Sequence, residues 1–69
     1  SNMRVELYKN GIFINKLYQW DYFRGYVDEG EYIKLQWGKG ISKLIGAPLY
    51  LKKNERVEEI IKYYLNEIK

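Results

Sequence analysis

The 69-residue chain contains no cysteine, histidine or threonine, and these absences exclude most common catalytic mechanisms. Without histidine, no side chain titrates near neutral pH unless its surroundings shift the pKa. Without cysteine, the chain has no thiolate nucleophile, no disulfide and no thiolate metal site. A serine nucleophile would then need a lysine as its base, and no lysine is marked out for that role. We therefore predict a protein that is not an enzyme and that carries no cofactor and no metal.

Long apolar runs are also missing. No apolar stretch approaches the roughly 20 residues that a membrane-spanning helix needs. Charged residues follow Met3 where a signal peptide would be apolar, so we expect no signal peptide. The expected location is the cytoplasm, either as a free protein or as a cytoplasmic domain of a larger membrane-associated protein. Ser1-Asn2 is typical of a cloning-tag remnant, which leaves residues 3–69 as a single predicted domain.

The residues that are present favour a folded domain with an unusual supply of aromatic rings. Apolar residues make up 46% of the chain and charged residues 30%, with a net charge of +3, which is not a disordered composition. Aromatic residues make up 17%. A domain this small buries only about 60% of the surface of its unfolded chain. We therefore expect some aromatic side chains to be exposed or to contact another chain, either in a homodimer or with another protein partner.

The first residues predict a β-hairpin. Residues 4–9 alternate between apolar and charged side chains, which is the period of a strand. Asn10-Gly11 separates them from a short apolar run at 12–14, and both residues tolerate the positive φ of a type I′ turn. With a two-residue loop, the cross-strand pairs would be Leu7 with Ile14 and Tyr8 with Phe13.

The remainder of residues 4–52 predicts more strands. The alternation over 31–37 places Ile33, Leu35 and Trp37 on one face and Tyr32, Lys34 and Gln36 on the other. Further strands are predicted at 17–20, 22–27 and 47–52. Turns are predicted at 15–16 and 28–30, and Gly25 predicts a bulge or a close backbone approach inside its strand. Pro48 favours a strand start or a sheet edge because it cannot donate a hydrogen bond. The glycine-rich residues 38–46 are predicted to form a loop or a distorted hairpin.

A single helix is predicted over residues 55–68, with Asn54 as its N-cap and Glu58 paired with Lys62. Its apolar stripe consists of Val57, Ile60, Ile61, Tyr64, Leu65 and Ile68. Such a stripe needs an apolar surface to cover, and a sheet provides one. The predicted fold class is therefore α+β, with a curved antiparallel sheet of four to six strands packed against one C-terminal helix.

The order of these elements resembles that of bacterial pleckstrin-homology-like domains, and in particular of small prokaryotic domains of that type. The residues that carry the resemblance are Tyr8, Asn10-Gly11-Ile12, Trp20, Phe23, Tyr26, Tyr32, Ile33, Leu35 and the helix from Glu55 to Ile68. A full domain of that class has about seven strands, so this chain would be a shortened version. The resemblance implies an interaction or membrane-proximal scaffold, with no catalytic or ligand-binding residues to transfer.

A basic and aromatic stretch, residues 37–53, is the candidate binding region. The residues singled out are Trp37, Lys39, Lys43, Tyr50, Lys52 and Lys53. Rings of this kind stack on the bases of single-stranded nucleic acid while lysines follow its backbone, and lysines also attract an anionic membrane surface. The simpler interpretation is a solubilising surface whose lysines discourage aggregation at a sheet edge.

Three other patterns are interpreted as structural. The sequence Gly-Lys-Gly-Ile-Ser-Lys at 38–43 lacks the spacing of a phosphate-binding P-loop and favours a flexible loop. Acidic residues within 21–31 favour a solvated turn, although carboxylate chemistry is the remaining enzymatic alternative. The aromatic residues Trp20, Phe23 and Tyr26 favour a core or an interface over a cage for cations.

Together these patterns predict a non-catalytic protein-interaction or self-association module. The alternative is a weak binder of single-stranded nucleic acid or of an anionic membrane surface through residues 37–53.

Overall fold

The computed structural model describes residues 4–69, apart from the side chains of residues 42–44. The predicted tag remnant and Met3 lie outside the described residues. The elements, in chain order, are β1 (Glu6–Tyr8), β2 (Gly11–Ile14), β3 (Lys16–Gln19), a 3₁₀ turn (Trp20–Tyr22), β4 (Phe23–Asp28), β5 (Tyr32–Trp37), α1 (Lys39–Ile45), β6 (Leu49–Lys52) and α2 (Glu55–Tyr64).

The strands form two antiparallel three-stranded sheets, which we call sheet A (β1-β2-β3) and sheet B (β4-β5-β6). The predicted α+β class, the antiparallel pairing and the C-terminal helix are confirmed. The prediction of a single sheet of four to six strands is wrong. The physical reason is the 3₁₀ turn at Trp20–Tyr22, which interrupts the extended chain between β3 and β4 and lets β4 begin a second sheet.

The hairpin of sheet A forms one residue earlier than predicted. Tyr8 pairs with Gly11, and Lys9 and Asn10 form the connection, so the predicted pairs Leu7–Ile14 and Tyr8–Phe13 are wrong. Gly11 has a different role from the one expected, because a Cβ at this position would overlap the Tyr18 carbonyl oxygen of β3. The turn predicted at 15–16 is confirmed at Asn15, which has a φ of 65° and joins β2 to β3, whereas Lys16 already belongs to β3.

Sheet B follows the sequence pattern closely. The pairing register between β4 and β5 shifts between Phe23 and Gly25, which confirms the bulge predicted at Gly25. Gly30 takes a φ of 83° in the predicted turn after Asp28. The predicted grouping of Ile33, Leu35 and Trp37 on one face of β5 is confirmed, and this face is buried. Strand β6 begins directly after Pro48 at the edge of the sheet.

The helices differ from the prediction in two ways: one helix was not predicted, and the C-terminal helix is shorter than predicted. Residues 38–46 contain α1 rather than a loop or hairpin, because Ile41 and Ile45 recur at helical spacing despite the glycines, and Ile41 packs against the core. Helix α2 ends at Tyr64, and the predicted extension to residue 68 is wrong. Residues 65–69 instead run beside β4. We call this segment the C-terminal tail.

The tail is held on β4 by backbone hydrogen bonds. The Tyr26 N–H donates to the Asn66 carbonyl at 3.0 Å, and the Ile68 N–H donates to the Tyr26 carbonyl at 2.8 Å. Leu65 is buried in this position. An extended tail therefore satisfies the backbone of the β4 edge while it still buries the apolar side chain that a longer helix would have carried.

The hydrophobic core lies where the two sheets and α2 meet. Its buried members are Ile12, Ile14, Trp20, Phe23, Tyr26, Ile33, Leu35, Trp37, Leu51, Ile61 and Leu65. The Trp20 ring stacks on Tyr64 of α2 at a centroid distance of 4.8 Å, and its indole N–H donates to the Tyr8 carbonyl at 2.9 Å. The helix therefore covers the strands through its apolar stripe, as the periodicity predicts.

Helices α1 and α2 have 7 and 10 residues. Within residues 4–69, no helix has both the length and the apolar character required to cross a membrane.

Candidate functional site

The residues singled out within 37–53 do not form one patch. Trp37 is only 3% exposed, and its ring stacks on Phe23 with the centroids 4.5 Å apart. Its indole N–H donates to the Ala47 carbonyl at 2.7 Å. The ring and its polar atom are both used inside the protein, so Trp37 is not placed to stack on a ligand.

Lys53 is held by an acidic partner. Its Nζ lies 2.8 Å and 3.0 Å from the two carboxylate oxygens of Asp28, and the Gly30 N–H also donates to Asp28 at 3.0 Å. The hydrogen bond from Lys53, followed by that from Gly30, lowers the pKa of Asp28. The same bond raises the pKa of Lys53. Lys53 therefore fastens the β4–β5 turn to the end of β6 and adds little free positive charge to the surface.

Lys39 of α1 lies away from Lys52 of β6. Lys39 begins α1 just beyond the end of β5, whereas Lys52 pairs with Tyr32 at the start of β5. At about 3.3 Å per residue, those two ends of β5 are roughly 17 Å apart. The side chain of Lys43 lies outside the described residues. Of the five predicted residues whose side chains the structure describes, only Tyr50 and Lys52 are placed side by side with both side chains exposed.

The outer surface of sheet B brings together a set of residues that the sequence prediction only partly included. Tyr32 pairs with Lys52, and Lys34 pairs with Tyr50, so tyrosine and lysine alternate along and across the two strands. We call these four residues the Tyr–Lys face. Tyr32 is 44% exposed and Tyr50 is 54% exposed. Tyr32 and Lys34 were predicted to share a face, but not to be part of the site, because the sequence does not show which strand pairs with β5.

The charges on this face differ in how they are paired. The Lys34 Nζ lies 3.2 Å from the Glu29 carboxylate, with 21% of the Lys34 side chain exposed. Among residues 4–69, no ion pair within 4.0 Å involves Lys52. Lys52 is therefore the more accessible cation of the face, while Lys34 would have to exchange Glu29 for an anionic ligand.

Beside the Tyr–Lys face lies a groove between the outer strands of the two sheets. Its volume is about 340 Å³, and we call it the β1–β6 groove. The lining residues are Val5, Leu7, Tyr50, Leu51, Lys52 and Val57. Most of these side chains are apolar, and β1 and β6 are each the last strand on their side of a sheet.

The backbone N–H and C=O groups of every second residue of β6 face this groove. The Lys53 N–H donates to the Glu31 carbonyl at 2.8 Å, and in the same register Leu51 pairs with Ile33. Directly hydrogen-bonded pairs alternate with non-bonded pairs in an antiparallel ladder. The backbone groups of Tyr50 and Lys52 therefore face away from β5. Within residues 4–69, no other element forms a backbone hydrogen bond with either residue.

Comparison with known proteins shows a similarity to an archaeal protein. The chain is 33% identical over 69 aligned positions to an uncharacterised protein, MJ0695, of Methanocaldococcus jannaschii. The alignment covers 96% of this chain and 64% of the archaeal protein, so the chain spans slightly less than two thirds of that relative. No protein-family model matches the chain, and no solved structure matches it. The resemblance to bacterial pleckstrin-homology-like domains therefore stays a prediction.

Proposed function

We propose that this chain is a non-catalytic self-association module whose homodimer forms when β6 pairs with β6 of a second copy. The observation that supports this proposal best is the outward-facing backbone of Tyr50 and Lys52 beside the β1–β6 groove. An unpaired strand edge is a template for pairing with another chain. The resemblance to pleckstrin-homology-like domains implies an interaction role of the same general kind.

The hydrogen-bonding pattern selects one register for the paired strands. Only residues whose backbone faces outward can form the bonded pairs. Pairing Tyr50 with Lys52 of the second copy is the register that uses both outward-facing residues of each β6, and the reverse pair follows by symmetry. Leu51 then lies opposite itself on the two-fold axis. This register repeats the tyrosine–lysine pairing that β5 and β6 already form within the chain.

The open and covered edges of sheet B favour a closed dimer over a fibre. The tail lies on β4 and bonds to Tyr26, so that edge of sheet B is covered, whereas β6 is not paired on its outer side by another described strand. The single open edge of sheet B lets two copies join through a two-fold axis and leaves no second edge of sheet B to continue the assembly. Pro48, just before β6, limits the paired segment to a short strand.

The groove has to supply part of the binding energy. About four intermolecular backbone bonds at about 1 kcal/mol each correspond to a dissociation constant near 1 mM, before the cost of association is counted. Burial of apolar surface at Val5, Leu7 and Val57 adds about 25 cal/mol per Å². We therefore expect a weak dimer that forms in the micromolar to millimolar range.

The test is sedimentation equilibrium over a range of concentrations, with two variants at one position. Lys52→Pro removes an N–H that faces the groove and leaves the bonds between β5 and β6 in place, so it should shift the protein to monomer. Lys52→Ala removes the side chain but keeps the N–H, so it should still dimerise. A wild-type protein that stays monomeric near 1 mM, or a Lys52→Pro protein that dimerises like the wild type, would contradict the proposal.

Hydrogen exchange gives a second measurement that needs no substitution. The amides of Tyr50 and Lys52 should become more protected as the protein concentration rises, because the dimer covers them. The amide of Leu51 faces β5 and should be protected at every concentration. Protection of Tyr50 and Lys52 that does not depend on concentration would also contradict the proposed interface.

A further inference from the structure

We propose that the Tyr–Lys face binds single-stranded nucleic acid, with Tyr32 and Tyr50 stacking on bases and Lys34 and Lys52 contacting phosphates. This binding goes beyond self-association and uses a different part of β6. Dimer formation would use the backbone of β6 at the sheet edge, whereas nucleic-acid binding would use side chains that stand on the face of the sheet.

The geometry of the face provides two stacking positions at a fixed separation. Tyr32 and Tyr50 lie on a diagonal across β5 and β6, because each is directly opposite a lysine. Diagonal neighbours in an antiparallel sheet have Cα atoms about 7–8 Å apart. Two rings on a rigid sheet can therefore each receive one base, as aromatic side chains on the sheet of an RNA-recognition motif receive two or three bases.

The exposure of these rings distinguishes them from the other aromatic residues on sheet B. Phe23, Tyr26 and Trp37 are buried in the core, whereas Tyr32 and Tyr50 are each about half exposed. Single-stranded nucleic acid supplies both things that the face can bind, a planar base for each ring and a phosphate for each lysine. A duplex keeps its bases stacked internally, and an anionic lipid surface offers phosphates but no planar base.

The charge pattern sets the expected strength and salt dependence. Lys52 is unpaired among residues 4–69, and Lys34 must release Glu29 to reach a phosphate, so one or two phosphate contacts are expected. For single strands, the slope of log affinity against log salt is about −0.7 per phosphate contact. We therefore expect weak binding with a shallow slope, between about −0.7 and −1.4.

The test is an NMR titration of the wild-type protein with a short oligothymidylate at low salt. The amide signals of β5 and β6 should shift. Tyr32→Ala should weaken binding by about 5- to 150-fold, because one stacking position is lost. Tyr32→Phe keeps the ring and should bind nearly as tightly as the wild type. Tyr63→Ala is the matched control, since Tyr63 is 79% exposed but lies on α2.

Several results would overturn the proposal. The first is an absence of oligonucleotide binding at low salt, and the second is equal binding by Tyr32→Ala and the wild type. The others are equal binding of a duplex of the same sequence, and binding to phosphatidylserine vesicles with none to the oligonucleotide. Tyr32 lies on the central strand and not at the dimer edge, so its variants leave the β6 backbone intact. Binding by a protein that stays monomeric would support this proposal while it contradicts the proposed dimer, which keeps the two failures distinguishable.

Discussion

At the scale of single residues, Gly25 lies where the fold leaves no room for a side chain. Gly25 has a φ of +153°, and a Cβ there would lie 2.6 Å from the Asn66 carbonyl oxygen and 2.7 Å from Ile68 Cγ1. The sequence predicts the special backbone of this position, since a glycine inside a strand pattern marks a bulge or a close approach. It does not show that the segment in close approach is the tail.

We predict that Gly25→Ala lowers the free energy of unfolding by about 1–3 kcal/mol, because it combines a strained φ with a clash against the tail. Gly40→Ala is the control, since no described atom lies within 4 Å of a Cβ at that position of α1. Alanine inside a helix should raise the free energy of unfolding by about 0.5–1 kcal/mol. Urea denaturation of both variants tests this pair of signs, and a Gly25→Ala protein as stable as the wild type would contradict the role of the close approach.

At the scale of elements, the start of α2 could be predicted and its end could not. Asn54 is a local signal, and its Oδ1 accepts the Val57 N–H at 2.9 Å, as an N-cap should. Leu65 and Ile68 fit the period of the helix, yet so short a terminal segment can also be extended, because periodicity does not separate a helix from a strand over a few residues. Only the position of the β4 edge decides between these structures, and that position depends on the tertiary fold. Helix α1 was missed for a related reason, because Gly38, Gly40 and Gly46 concealed a short periodic segment.

We predict that Asn54→Ala lowers the free energy of unfolding by about 1 kcal/mol, because the Val57 N–H loses its acceptor at the helix start. Asn66→Ala is the matched control, since Asn66 contributes its backbone carbonyl to the contact with β4 and its residue is exposed. That variant should stay within about 0.5 kcal/mol of the wild type. Thermal and urea unfolding measure both changes, and equal effects of the two substitutions would show that the cap is not the cause.

At the scale of the whole molecule, the candidate site depends on which strands become neighbours. Alternation alone groups Ile33, Leu35 and Trp37 on one face of β5, but it does not show that this face is buried and that Trp37 belongs to the core rather than to a binding surface. Tyr32 was omitted from the predicted site because its partner on β6 lies 20 positions along the chain. The Asp28–Lys53 pair is equally non-local, and it connects the β4–β5 turn with the segment that leads into α2.

We predict that the contribution of the Asp28–Lys53 pair to stability is constant between about pH 5 and pH 9.5. The pKa of Asp28 is lowered, so its contribution is present above the unfolded value of about 3.9 and is lost as the pH falls through the folded pKa. The pKa of Lys53 is raised above 10.5, so its contribution is complete below 10.5 and is lost as the pH rises through the folded pKa.

The measurement is the free energy of unfolding of the wild type and of Asp28→Asn over a series of pH values. The difference between the two proteins should be constant over this pH range and should shrink at both ends. Asp21→Asn is a suitable control, because Asp21 forms no ion pair within 4.0 Å among residues 4–69. A difference between Asp28→Asn and the wild type that is the same at every pH would contradict the assignment.

The two tryptophans lie against different parts of the fold, which gives the molecule two intrinsic optical reporters. Trp20 stacks on Tyr64, so its emission senses whether α2 is docked. Trp37 stacks on Phe23 and its indole N–H donates to the Ala47 carbonyl after α1, so its emission reports the assembly of sheet B. Replacing either indole by phenylalanine isolates the other signal, and stopped-flow traces of the two single-tryptophan proteins then reveal whether helix docking and strand assembly occur in one kinetic step.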